Sequence, residues 1–191
     1  MLSRRSVLTG GLATAAHLAL SRRAGATVAR ALTLNQLVHQ SRHGFVGTPV
    51  DAFCRWETIG GHSRIVTYTL VRADYSFDGR PPATSDVMVR TLGGAVDDVG
   101  QVVPGEAVLD RGVATAVFLE EATRDLFVVT GMSQGSYPVR LERDGVKRLR
   151  ARASQLEIVG ASLESAVRRL DGRSVTETEA LVAKELASGP R

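Results

Sequence analysis

The sequence predicts a mostly-β domain, a small barrel or sandwich, with a short helix before it and a helical tail after it. Three observations carry this expectation. Between residues 42 and 152, short apolar or alternating segments recur between Gly and Pro breaks, and no long helical periodicity interrupts them. Capped helical patterns occur only near the two ends of the chain. The first 26 residues have the layout of an export signal, so the folded domain begins after them.

That signal has three parts. Ser3-Arg4-Arg5-Ser6-Val7-Leu8 supplies a charged start, residues 7–20 form an uncharged run, and Ser21-Arg22-Arg23-Ala24-Gly25-Ala26 ends in an A-x-A cleavage site at Ala24 and Ala26. The Arg4-Arg5 pair resembles the twin-arginine signal with which bacteria export proteins already folded in the cytoplasm. The expected address is the periplasm or the exterior. A second cut after Ala29-Arg30-Ala31 would change little. The run is short and rich in Gly and Ala, a poor membrane anchor, although an uncleaved signal would still hold the chain at the membrane.

Cleavage changes the charge. The whole chain carries +4, from 24 basic and 20 acidic residues, and four of the arginines lie in the signal. The mature chain is therefore neutral, with no electrostatic footprint for nucleic acid or anionic lipid. About 160 residues remain, the size of one domain. Cys54 is the single cysteine, so no intramolecular disulfide forms, and a buried strand position is expected for it rather than a reactive thiol.

Along the mature chain, residues 32–40 place Leu34, Leu37 and Val38 at helical spacing. Residues 44–57 read as a first strand, with Val46, Val50 and Phe53 turned inward, and Gly60-Gly61 as a turn. Residues 64–77 are β-branched or aromatic on both faces, a strong strand pattern, broken by Asp78-Gly79-Arg80-Pro81-Pro82. Further strands are expected at 86–91, 113–120, 125–130, 137–141 and 146–152, with Asp144-Gly145 as a two-residue hairpin turn. The barrel domain is thus set at 33–152 and the tail at 153–191. In the tail, Ser154 to Glu157 reads as a capping box, and Leu156, Val159, Leu163, Ala166 and Leu170 fall on one helical stripe. A second capping box, Ser174 to Glu177, opens a helix to about Ser188. Such a tail either covers the domain's own sheet or binds a partner; covering is the usual use of one apolar stripe.

Few residues suggest chemistry. Gly131-Met132-Ser133-Gln134-Gly135 matches the G-x-S-x-G nucleophile elbow, which requires a strand before Ser133, a helix after it and a later histidine. The strand is expected, the helix is not, and the last histidine is His62, so a glycine-flanked turn is preferred to a catalytic serine. His39 and His43 have a metal-binding spacing, but His43 falls where the helix should end, and no metal or other cofactor is expected. Asp97-Asp98 and Glu120-Glu121 read as solvated turns, and Lys147, Arg148, Arg150 and Arg152 as the exposed side of an edge strand. No catalytic residue is assigned.

One resemblance adds to this reading. The opening 34–50, then Gly93-Gly94, Gly100-Gln101-Val102-Val103-Pro104-Gly105-Glu106, Val117-Phe118-Leu119 and Gln134-Gly135, resembles a family of exported bacterial proteins. The same order of parts, over about residues 33–142, is similar to the netrin and tissue-inhibitor-of-metalloproteinases module, an OB-like barrel. The resemblance implies that barrel. It carries over no inhibitory residue, because that family uses an amino-terminal Cys-x-Cys that this chain lacks. The expected function is an exported non-enzymatic binding module for an unknown protein or small molecule. The alternatives are a serine hydrolase using Ser133, or a regulator of an exported protease.

Overall fold

The structure, a computed structural model, describes residues 27–79, 85–152, 156–160 and 164–190. Arg4, Arg5, Ala24 and Ala26 of the expected signal lie outside the described residues. The fold is mostly β. In chain order, β1 is Thr27–Arg30, α1 Leu34–Gln40, β2 His43–Ile59, β3 His62–Ser76, β4 Asp86–Leu92, β5 Gly94–Val96 and β6 Val99–Gln101. They are followed by β7 Thr115–Thr123, β8 Leu126–Val129, a 3-10 turn Met132–Gly135, β9 Ser136–Leu141, β10 Lys147–Leu149, β11 Leu156–Val159, α2 Ala166–Leu170 and α3 Val175–Ser188.

The main sheet runs β10-β9-β7-β2-β3-β4-β8, and β8 also pairs with β7. Pairing therefore returns to its start, and β2, β3, β4, β8 and β7 form a ring. All the ring contacts are antiparallel except β4 with β8. The 3-10 turn makes a second use of β7. Residues 119–123 of β7 pair with β8, and residues 115–117 pair with β9 on the same edge.

Burial explains the strand composition. Residues 115–119 of β7 are buried on both faces, hence the unbroken run Ala116-Val117-Phe118-Leu119. Val117 and Leu119 join Phe45, Val71, Val87, Val89 and Val129 in one cluster. Ala116 and Phe118 point the other way, into a second cluster with Leu34, Leu37, Val38, Tyr137, Leu149, Leu170 and Val182. The helices thus share their core with the outer side of the ring. Each such large side chain contributes roughly 1.5–3 kcal/mol by leaving water.

Both long helices begin with a reciprocal cap. Ser174 Oγ accepts from Glu177 N at 3.1 Å, and Ser174 N donates to Glu177 Oε2 at 2.8 Å. Thr33 and Gln36 do the same at α1, both at 3.1 Å. At the β2–β3 connection, Gly60 and Gly61 both have positive φ, +58° and +79°, the pattern of a type I′ hairpin turn.

Several expectations need correction. Residues 156–159 are strand β11, paired in parallel with β1, and not the start of a helix. Val159 is 53% exposed, so the five-residue stripe does not exist; α2 is one short helix ending at Leu170. Ser154 and Leu163 lie outside the described residues. Phe53 is 50% exposed; it lies on the half of β2 beyond the register shift between Pro49 and Asp51. Cys54 is half-buried, its Sγ 3.3 Å from Thr67 Oγ1. Asp144-Gly145 sits in a longer loop. Gly145 N donates to Glu142 O at 3.0 Å, Glu142 N donates to Val146 O at 3.0 Å, and Gly145 takes the left-handed position. Among the described residues no helix is long and apolar enough to cross a membrane.

Candidate functional site

Residues 93–110 leave β4, form the β5–β6 hairpin and return against the inner cluster, where Ala107 is buried. Two backbone bonds anchor this excursion and a third holds the chain just after it. Gly93 N donates to Ile65 O at 2.8 Å, Ser133 N to Gly105 O at 3.0 Å, and Gly112 N to Pro49 O at 2.8 Å. The segment is consequently a fixed wall. Between residues 102–108 and the side chains of Ser133, Ser136 and Arg152 lies a cleft of about 210 Å³. A second, of about 330 Å³, lies between the same segment and Thr67, Thr69, Thr91 and Gln101.

The polar groups of the first cleft are unusual. Ser136 is 4% exposed, yet its hydroxyl has no hydrogen-bond partner among the described residues. Arg152 forms an ion pair with Asp110 through one terminal nitrogen, and its buried Nε has no partner. In the second cleft, Gln101 Oε1 accepts from Ile65 N at 3.0 Å, whereas its buried Nε2 is unpartnered. Buried donors are nearly always paired. These three atoms belong to residues that line the clefts, and each is itself almost fully enclosed.

Glu106 lines both clefts and a third, beside Arg90, Glu120 and Met132. Burial pushes its carboxyl above the ordinary range, against the opposing pull of backbone N–H groups at Ala107 and Leu92. The Ala107 bond is 3.0 Å. The walls are otherwise apolar, with Val102 and Val108 left largely in water.

Ser133 reaches this cleft from the 3-10 turn. A strand, β8, precedes it, and β9 follows directly, so the helix of a nucleophile elbow is missing. Gly131 and Met132 both have positive φ, +66° and +61°. The turn is sharp, but it is built to return the chain to β7. His39 and His43 do not converge. His39 Nε2 lies 3.1 Å from Glu185 O, at the α1–α3 contact, while the His43 ring packs edge-on against Phe127 at 5.3 Å. Among the described residues no three His, Cys, Asp or Glu side chains are grouped to hold a metal.

Three members of the basic run form ion pairs. Arg148 meets Asp144 at 2.8 Å, Arg150 meets Glu142 at 2.6 Å, and Arg152 meets Asp110. β10 is indeed at the sheet edge. A further charged network lies on the distal β2–β3 hairpin. Glu57 accepts from Arg55 Nε at 2.9 Å and from the Tyr68 hydroxyl, with Arg90 at 3.4 Å, while Phe53 stacks on Tyr68 at 5.1 Å.

Ser136, Glu106 and Gln101 have no reading as site residues in the sequence alone. Gln101 and Glu106 do stand in the Gly100 to Glu106 segment that carries the family resemblance, which is the one signal that singles them out. Arg152 is legible only as a member of a basic run.

No family model, curated protein or solved structure matches the chain.

Proposed function

We propose that the chain is an exported, non-enzymatic binding module of the bacterial cell envelope or exterior, holding its ligand in the cleft under residues 102–108. The unpartnered hydroxyl of Ser136 carries this reading, because a buried polar atom without a partner is costly unless something else completes it. The export signal at Arg4 and Arg5 supports the location. A five-stranded ring whose first strand meets the fourth, and whose third meets the fifth in parallel, supports an OB-like barrel as its scaffold. Barrels of that kind carry ligands on loops and strand ends.

The second reading is a serine hydrolase. It is favoured by one observation: Ser133 and the Glu106 carboxyl share a cleft. Strand β9 directly after the turn counts against it, since an activated serine is held at a helix start beside a base. The role of a protease regulator rests on the family resemblance alone.

A fluorophosphonate probe separates the two readings. The binding module leaves Ser133 unlabelled. Labelling that disappears in Ser133→Ala would establish the hydrolase. Export is tested by changing Arg4 and Arg5 together to Lys, which should retain the precursor in the cytoplasm.

A further inference from the structure

We propose that the open edge of β2 is a self-association site: residues 52–58 pair antiparallel with the same edge of a second copy of this chain, Trp56 facing Trp56 across a two-fold axis. This is a different surface from the cleft, and it stands apart from the binding-module reading.

The pairing of β2 leaves the edge open. β3 accompanies β2 from Phe45 to Ile59, whereas β7 lies along its other side only at residues 43–47. Beyond Pro49, that other side has no strand beside it among the described residues. The Gly60-Gly61 turn fixes which groups face it. Ile59 and His62 flank this two-residue turn as a hydrogen-bonded pair, and pairs of the two kinds then alternate down the hairpin. Trp56 and Ile65 thus form a non-hydrogen-bonded pair. Ile65 agrees with this: its N–H donates to Gln101 Oε1 at 3.0 Å and its C=O accepts from Gly93 N at 2.8 Å, both away from β2. Ala52, Cys54, Trp56 and Thr58 therefore turn their own N–H and C=O groups to the open side.

That side is in water. Ala52, Trp56 and Thr58 are exposed and Cys54 is half-buried. The β5 strand does not fill it. A Cβ on Gly94 would stand 2.6 Å from Cys54 Sγ and 2.5 Å from Thr67 Oγ1, so β5 lies over the face between β2 and β3 rather than beside β2. Sheets commonly blunt an exposed edge with lysine, proline or a bulge. Pro49 and a register shift stand at the start of this stretch, and residues 51–59 contain neither lysine nor proline. They carry Phe53 and Trp56, 50% and 47% exposed. Such an edge is a template for another strand.

Charge selects the occupant and the register. A two-fold axis normal to the sheet keeps each side chain on its own face. Centred on Trp56, it sets Arg55 opposite Glu57 of the second copy, Glu57 opposite Arg55, Phe53 opposite Ile59 and Cys54 opposite Thr58. Opposite charges across a strand pair stabilise it, and like charges do the reverse. Centred on Cys54, Asp51 would face Glu57. Centred on Arg55 or on Glu57, that charge would face itself. Centred on Phe53, the pairing would run into Pro49 and the register shift. The segment is thus complementary to itself at Trp56, which a surface for an unrelated strand has no need to be.

The test is sedimentation of the full-length chain from roughly micromolar to near-millimolar concentration. The mass should rise from one chain towards two and no further, because one open edge per copy closes the pair. Trp56→Lys sets two ammonium groups face to face at the axis and should weaken association about tenfold or more. Its cooperative melting should persist, since Trp56 is exposed. Thr58→Cys reads the register. It places a thiol opposite Cys54 of the second copy, about 5.5 Å between Cα atoms and within disulfide range, so mild oxidation should yield a covalent dimer. In the parent, Cys54 lies four residues from its own copy, roughly 13 Å, and should not link.

A chain that stays monomeric throughout overturns the proposal, including one that holds a strand of another protein at this edge. Association unchanged in Trp56→Lys places the contact elsewhere and also overturns it. Failure of Thr58→Cys to link, or linking of the parent just as fast, overturns the Trp56-centred register. None of these outcomes bears on the cleft, so the binding reading is tested separately.

Discussion

Asn35, at the start of α1, donates its side-chain amide to the carboxylate of Glu185, near the end of α3, at 3.2 Å. The same amide donates to Gly189 O at 2.9 Å, and Arg169 of α2 stands 3.8 Å from the other oxygen of Glu185. One buried carboxylate therefore ties together all three helices. Glu185→Ala should destabilise the protein by about 1–3 kcal/mol, because it leaves a buried amide short of an acceptor. A lower urea midpoint with an unchanged m-value is the expected result.

The helices themselves are core. Ending the chain after Arg152 removes Leu170 and Val182 and uncovers Leu34 and Leu37, all buried in one cluster. At roughly 1.5–3 kcal/mol for each large side chain, the loss approaches the whole stability of a small domain. The truncated chain should lose its cooperative thermal transition. A truncated protein that melts like the full one would show the tail to be a detachable arm.

Gln134 uses its buried amide as a clasp. Its Oε1 accepts from Leu32 N at 2.9 Å and its Nε2 donates to Arg30 O at 3.1 Å, joining the 3-10 turn to the segment before α1. Leucine has a similar volume and neither bond. Gln134→Leu should cost about 1–3 kcal/mol and speed hydrogen exchange at the Leu32 amide, the local readout that distinguishes loss of the clasp from general loosening.

Gly47 marks a close approach of β2 to β3. A Cβ there would stand 2.6 Å from Arg72 O and 2.9 Å from Val71 Cγ1. A backbone carbonyl held in a strand ladder cannot swing aside. Gly47→Ala should cost about 1–3 kcal/mol in chemical denaturation, the usual penalty of overpacking.

These examples show why some of the structure was legible in the sequence. The strands between residues 43 and 149, the Gly60-Gly61 turn and the Ser174 to Glu177 cap depend on neighbours a few residues away, which is why local pattern predicts most of them. Leu156 and Val159 matched helical spacing, but they lie in a strand whose partner is Thr27–Arg30, far earlier in the chain. Periodicity cannot detect a parallel partner at that distance. The cleft was hidden for the same reason. Glu106, Ser136 and Arg152 line one cleft although they lie far apart in the chain, and only the segment around Glu106 and the basic run around Arg152 give any local signal. Ser133 did attract notice, through a pattern that elsewhere builds a nucleophile elbow and here builds a turn.

Two glutamates should give opposite responses to pH. Hydrogen bonds from the Tyr68 hydroxyl and Arg55, with the nearby charges of Arg55 and Arg90, hold the Glu57 carboxyl below its ordinary range. A depressed carboxylate adds stability that is present above the unfolded value, about 4.3, and is lost as pH falls through the folded one. Glu57→Gln should therefore flatten the acid limb of a plot of melting temperature against pH, and lower the melting temperature at neutral pH.

Glu106 has the reverse sign. Burial against the cleft walls raises its carboxyl above the unfolded value, because the charged form is poorly solvated there. A raised group contributes stability below the unfolded value, about 4.3, and loses that contribution as pH climbs through the folded one. Once pH has passed the folded value, the protein bears the cost of an ionised, poorly solvated carboxylate. Glu106→Gln removes that charge and keeps an oxygen able to accept from Ala107 N, the bond now made at 3.0 Å. The variant should melt higher than the parent at pH 7, and the difference should vanish below about pH 4. A variant that melts lower than the parent at pH 7 would mean that the carboxylate is held in place by more than burial opposes.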